Sequence, residues 1–209
     1  MKKIILLLAI LITSFAALSQ LRGSGKTITK IFDYQNFNKV NFDDLDGKLE
    51  IEVGKPFSIS ITIDDNLVNL LNLIENAEDK RLTIALKGNR NNKMYIEDTK
   101  IKVLISMPFL DEVSNNGNSC LRVININSKN FKSKNPVNGS TMLSGIVDNL
   151  EVKCAGNGNL NAKNLKVTNA KVTCCGNGNA HVTVDKIIEV KKTGNGNIEN
   201  SGNAKYGKL

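Results

Sequence analysis

The chain has 209 residues, 41% of them hydrophobic and 23% charged, with a formal net charge of +8. That balance supports one packed domain of ordinary size and excludes disorder as the overall state. With no Trp, thirty Asn and a single His, any chemistry that needs histidine as a base must use His181.

Lys2 and Lys3 precede an apolar run from Ile4 to Leu18, interrupted only by Thr13 and Ser14, and Ala17-Leu18-Ser19 supplies small residues before Gln20. This order predicts a secretory signal peptide over residues 1–19. The run is shorter than the ~20 apolar residues a spanning helix needs. No cysteine follows it to carry a lipid, so the expectation is an exported chain without an integral membrane segment after cleavage. Residues 20–29 read as an N-terminal linker and 30–209 as the domain.

The first half of that domain alternates. Phe57, Ile59, Ile61 and Ile63 share one face, as do Ile101, Val103, Ile105 and Met107, with shorter copies at Leu49–Val53 and Leu82–Leu86. Period two of this kind predicts half-buried strands, and Asp46-Gly47 and Gly54-Lys55-Pro56 read as turns. Leu67, Leu70, Leu71 and Ile74 have helical spacing behind Asp65, which predicts one short helix.

The second half, residues 111–203, repeats. Asn-Gly followed by Asn or Ser recurs around Gly117, Gly139, Gly158, Gly178 and Gly196, at intervals of 22, 19, 20 and 18. Leu150 and Val152, Ala170 and Val172, and Ile188 and Val190 keep the same distances before their glycines. Asn-Gly also signals hairpins, but a meander gives no reason for identical apolar offsets around every turn. A period near twenty predicts a β-solenoid, each turn stacking its apolar positions on the last, with glycine easing the corners.

Few residues are suited to catalysis. Gly-Asn-Gly-Asn lacks the third glycine of a dinucleotide loop, since 161, 181 and 199 are Asn, His and Glu. Neutral Asn at a period near twenty does not match a calcium nonapeptide. Glu151, Lys171 and Glu189 all stand seven before their glycines, which reads as a solvated salt-bridge column rather than an acid–base pair. His181 alternates outward as a surface residue. Cys154 and Cys174 share an offset and should stack as buried thiols, while the pairing of Cys120 and Cys175 stays open. No catalytic, cofactor or metal-ligating residue is assigned and no cofactor is expected. Residues 150–209 carry nine Lys against Glu151, Asp185, Glu189 and Glu199, an asymmetry that reads first as a solvated lysine surface and otherwise suits acidic partners such as uronic-acid or phosphorylated polysaccharide. Nucleic acid is not expected, because no reader motif is present.

Phe37-Asn38-Lys39-Val40, Ile61-Thr62-Ile63-Asp64-Asp65-Asn66-Leu67, Arg81-Leu82-Thr83-Ile84 and Ile105-Ser106-Met107-Pro108-Phe109-Leu110, followed by the repeated glycine turns, resemble the bacterial autotransporter-adhesin family with a head GIN domain. The resemblance covers roughly residues 30–205, and Asn stands where the family's turns usually carry Ser. It implies an all-β fold, a single-stranded right-handed parallel β-helix similar to pectin lyase. It also implies a non-enzymatic module for adhesion or interaction at the cell envelope, in the periplasm or at the cell surface, whose partner is a surface glycan or an envelope protein. The alternatives are a β-helix carbohydrate-active enzyme and a periplasmic scaffold. An exposed strand edge at the C-terminal end makes end-to-end homo-oligomers a further expectation.

Overall fold

The computed structural model describes residues 20–87 and 95–209; the signal peptide expected at 1–19 lies outside them. The short strands are β1 (Gln20–Arg22), β2 (Thr27–Phe32), β3 (Lys39–Asp43), β4 (Gly47–Val53), β5 (Ser58–Asp64), β6 (Leu71–Asn76), β7 (Arg81–Leu86), β8 (Tyr95–Glu97), β9 (Ile101–Met107) and β10 (Glu112–Asn116). Four long ones follow, β11 (Cys120–Asn135), β12 (Ser140–Gly156), β13 (Leu160–Gly176) and β14 (Ala180–Thr193), and then β15 (Ile198–Asn200) and β16 (Lys205–Tyr206). β1 pairs with β8, and the other fourteen strands form one sheet.

That sheet is mixed, which corrects the expected single-stranded right-handed parallel β-helix. β11, β12, β13 and β14 pair in parallel with their sequence neighbours, but β2 with β5, β5 with β9, and β6 with β7 are antiparallel. For β6 and β7 the physical reason is connection length. β6 and β7 are joined by residues 77–80 alone, a link that turns the chain back but cannot carry it across for parallel pairing. Alternation itself does not report direction, because side chains change face with period two in both pairings.

The short helix is also smaller than its spacing implied. Asp65–Leu70 is a 3-10 helix, and Leu71 onward is strand β6. Asp64, not Asp65, holds the cap position, and its side chain makes no cap hydrogen bond. Its buried carboxylate instead accepts the N–H groups of Gly25 (2.8 Å) and Lys100 (2.6 Å), while Asn66 accepts from the Ser24 N–H and donates to the Arg22 carbonyl. Residues 22–25, inside the segment expected to be a linker, are pinned to the domain by this cluster.

In the repeat half, equivalent positions meet across neighbouring strands. Val152, Val172 and Val190 are register partners, as are Leu150, Ala170 and Ile188, and all but Val190 are buried. The two glycines of each turn have different tasks. Gly156, Gly176 and Gly194 have positive φ (69°, 140° and 112°), whereas the central Gly158, Gly178 and Gly196 do not. The central ones are required by close approach: a Cβ on Gly178 would collide with the Gly158 carbonyl oxygen, and one on Gly196 with that of Gly178. Between these columns Asn177 donates to Asn157 Oδ1 (3.0 Å) and Asn195 to Asn177 Oδ1 (3.2 Å), forming a chain of side-chain amides. Gly178→Ala is therefore expected to lower stability by about 1–3 kcal/mol through overpacking against backbone. Chemical denaturation will show this as a lower midpoint, and an unchanged midpoint would refute the close-approach account.

Candidate functional site

The outward face of the sheet formed by β7, β3, β10, β11, β12, β13 and β14 carries two adjacent rows of polar side chains. Arg81, Lys39, Glu112, Lys132, Glu151, Lys171 and Glu189 are successive register partners across it. Two residues further along each strand run Thr83, Asn41, Ser114, Lys134, Lys153, Thr173 and Lys191. Neighbouring strands lie ~4.8 Å apart, so each row presents one side chain per step. Between the rows Val40, Val113, Val152 and Val172 point inward and are buried, which fixes which residues face out.

Two open concavities lie on this face and meet at Glu112. One, of about 550 Å³, is lined by residues that include Asn41, Arg81, Ser114, Lys134, Lys153 and Thr173. The other, of about 470 Å³, includes Lys39, Lys132, Glu151, Lys171 and the Asn130–Asn149–Asn169 row. Asn149 donates to Asn130 Oδ1 (3.1 Å) and Asn169 to Asn149 Oδ1 (3.2 Å), so one margin of this trough is a second amide chain.

Cations outnumber the carboxylates they pair with. Glu112 Oε1 accepts from Arg81 (2.9 Å) and Lys134 (2.6 Å), and Glu151 accepts from Lys132 (2.9 Å) and Lys153 (3.1 Å). Asp79 is shared between Arg81 (2.7 Å) and Lys39. Three carboxylates thus hold five cations, and Lys171 pairs with Glu189 at 2.8 Å. Among the described residues Lys191 makes no ion pair. Partial burial works to raise the Glu112 carboxyl, but the hydrogen bonds from Lys134 and Arg81 outweigh it and hold the group below the ordinary glutamate value. The same opposition, with Lys132 and Lys153 as donors, lowers Glu151. Lys171 and then the Leu209 N–H lower Glu189. Acids held ionised in this way are poor proton donors near neutrality.

The structure places the Glu151–Lys171–Glu189 column on this face but adds members that the sequence reading missed. Lys132 has the same offset from Gly139, and Lys134, Lys153, Thr173 and Lys191 each stand five before their glycines, so that row carried a signal in the repeat. Arg81 and Lys39 had none, because they come from strands outside the repeat, and Glu112, five before Gly117, is set by the register against Lys132 rather than Lys134.

His181 is less open than its alternation implied, with a side chain only 16% exposed. Its Nδ1 lies 3.1 Å from Glu199 Oε2, and its Nε2 shares a 2.7 Å hydrogen bond with Ser201 Oγ. These are distances at which a base, an orienting acid and a nucleophile work, but acyl transfer also needs donors for an oxyanion. The Ser201 N–H is committed to the Val182 carbonyl and the Gly202 N–H to Asn200 Oδ1. The chain of contacts ties β15 and the segment after it to β14.

Cys154 and Cys174, expected as stacked thiols, are joined by a disulfide. As register partners they sit 4.6 Å apart between Cα atoms, inside the range that a disulfide accepts. Cys120 and Cys175 are free and exposed. Among the described residues no cluster of three or more His, Cys, Asp or Glu is arranged to hold a metal ion, and no helix is long and apolar enough to cross a membrane.

Residues 36–204 match the protein family described as "Putative auto-transporter adhesin, head GIN domain". Among solved structures, one described as a putative adhesin from Bacteroides fragilis aligns with 18% identity and a TM-score of 0.65, covering 86% of this chain and 99% of that one. A putative adhesin from Parabacteroides distasonis aligns with 21% identity and a TM-score of 0.52, covering 87% and 100%. A structure from the same species described as a putative lipid binding protein gives 18% and 0.54, covering 91% and 100%. At these identities the likeness is one of fold. No curated protein matches the sequence.

Glu112→Gln removes the charge that Arg81 and Lys134 share and is expected to cost about 1–2 kcal/mol near neutral pH. Because the folded carboxyl is lowered, its contribution is present above the unfolded glutamate value and disappears as pH falls through the folded one. The wild-type urea midpoint should therefore drop more than the variant's between pH 7 and about pH 3. Equal drops would show that the pairing contributes nothing to stability.

Proposed function

The chain belongs to the auto-transporter adhesin family with a head GIN domain, and from that premise we propose that it is an exported, non-enzymatic adhesion module of the cell envelope whose contact surface is the cationic trough. The observation that carries this reading is the sharing of Asp79, Glu112 and Glu151 among five cations on an open, two-part concavity. An open face with a regular array of donors suits repeated weak contacts better than it suits enclosure of a reacting group. Export rests on the basic, apolar and small-residue order of residues 1–19. A partner glycan or envelope protein is consistent with the polar, basic character of the trough.

The C-terminal end supports self-association as part of the same reading. Among the described residues β15 and β16 pair only with β14, so their outer edges offer backbone groups to a second copy. A strict monomer by light scattering at high concentration would remove that element.

Location separates adhesion from the periplasmic scaffold. Intact cells treated with a protease that does not cross the outer membrane should lose this protein while a periplasmic control is preserved. Protection of the protein, with the protease shown to be active on lysed cells, would overturn surface adhesion.

A further inference from the structure

We infer that the trough binds a linear anionic polysaccharide, one bearing uronic-acid carboxylates, laid across the strands along the Ser114–Lys134–Lys153–Thr173–Lys191 row. The inference rests on the adhesion reading and names the chemistry of its ligand. Three features of the face select that class.

The first is charge. Glu112 and Glu151 are each divided between two cations, and Lys191 has no ion pair among the described residues. Carboxylates arriving from outside complete the pairing of Lys134, Lys153 and Lys191 without displacing a full partner. A basic surface in which every cation had its own carboxylate would gain far less.

The second is spacing. Lys134 and Lys153 are register partners, Thr173 follows and Lys191 comes next, so the cations are distributed along a line at steps of ~4.8 Å. A site for one small anion converges its donors on a point. This one spreads them over several strands, with the Thr173 hydroxyl between Lys153 and Lys191 and Ser114 and Asn41 beyond Lys134, which matches a polymer whose charges recur along its length. The Asn130–Asn149–Asn169 margin repeats at the same step.

The third is the absence of stacking platforms. The one aromatic residue lining either concavity, Phe131, is buried and offers no open ring face, and neutral sugars are gripped chiefly through aromatic faces. Ion pairs and amide hydrogen bonds are what this surface offers. Each contact is individually weak and screened by salt, so useful affinity comes from engaging several at once.

The test uses the purified protein with polygalacturonate, dextran as the neutral polymer, and vesicles containing an anionic phospholipid. Retention on immobilised polygalacturonate at low salt, lost at high salt, with none on dextran, is the expected result. The double variant Lys134→Glu/Lys153→Glu should weaken retention by about tenfold or more. Lys48→Glu/Lys102→Glu, on the separate face formed by β4 and β9, makes the same change in net charge and should leave retention intact. A cooperative denaturation transition for both variants verifies folding, the Lys134→Glu/Lys153→Glu midpoint falling because the new carboxylates face Glu112 and Glu151, and Lys191→Gln supplies a milder probe that breaks no ion pair among the described residues. Equal weakening by the two double variants would reduce the effect to net charge and overturn the site. So would equal binding to dextran, binding to vesicles alone, or no binding to polygalacturonate at low salt. If the protein is exposed on intact cells and adheres to them yet ignores polygalacturonate, the adhesion reading stands and only the ligand class fails.

Discussion

In-register parallel pairing is the constraint on which the repeat half depends. When β12 lies against β13 and β13 against β14 at a period near twenty, residues outside the bulges at 142–144, 162–166 and 167–169 face their equivalents one repeat away. Valine meets valine, asparagine meets asparagine, and glycine packs on a glycine carbonyl. A like-on-like arrangement favours residues that attract themselves. Amides do so by donating and accepting along one line, and branched apolar side chains by packing. The close approach at the turns follows from the same stacking, which is why the central glycines have no room for a Cβ although their φ values are ordinary.

Charged residues are the difficult case under this constraint, because identical charges on successive strands repel. The row through Lys132, Glu151, Lys171 and Glu189 meets it by alternating sign. The neighbouring row does not alternate, since Lys134 lies beside Lys153, and each of these borrows a carboxylate from the first row. The cationic surplus of the trough arises from that borrowing. Its electrostatic character is thus a consequence of the register, and the lowered Glu112 and Glu151 carboxyls are its local signature.

The N-terminal half serves a different purpose. Its antiparallel strands extend the sheet beyond the repeat, and β7 and β3, next to β10, carry Arg81 and Lys39 to the end of the charged row beside Glu112. Buried Asp64 holds two backbone N–H groups from distant segments, joining residues 25 and 100 in one place. The His181–Glu199–Ser201 contacts hold the opposite, C-terminal end. Both clusters use ionisable side chains as fasteners, and in the second the Ser201 and Gly202 N–H groups are committed to the Val182 carbonyl and Asn200 Oδ1.

The sequence by itself determined the all-β character, the strand faces and the repeat, because side-chain alternation and equal offsets are local, one-dimensional signals. It also marked the Glu151–Lys171–Glu189 column, since residues at one offset in a repeat must meet. Strand direction was left to the tertiary structure: period-two alternation is the same in parallel and antiparallel pairs, so the mixed sheet contradicts the uniform parallel β-helix that the family resemblance implied. The helical spacing at Leu67–Ile74 likewise gave way after Leu70, where pairing of β6 with β7 outweighed local periodicity. The meeting of Arg81 with Glu112 was decided only by folding, because Arg81 comes from a strand outside the repeat; Lys134 and Glu112 stand at one offset from their glycines, yet the register sets Glu112 beside Lys132.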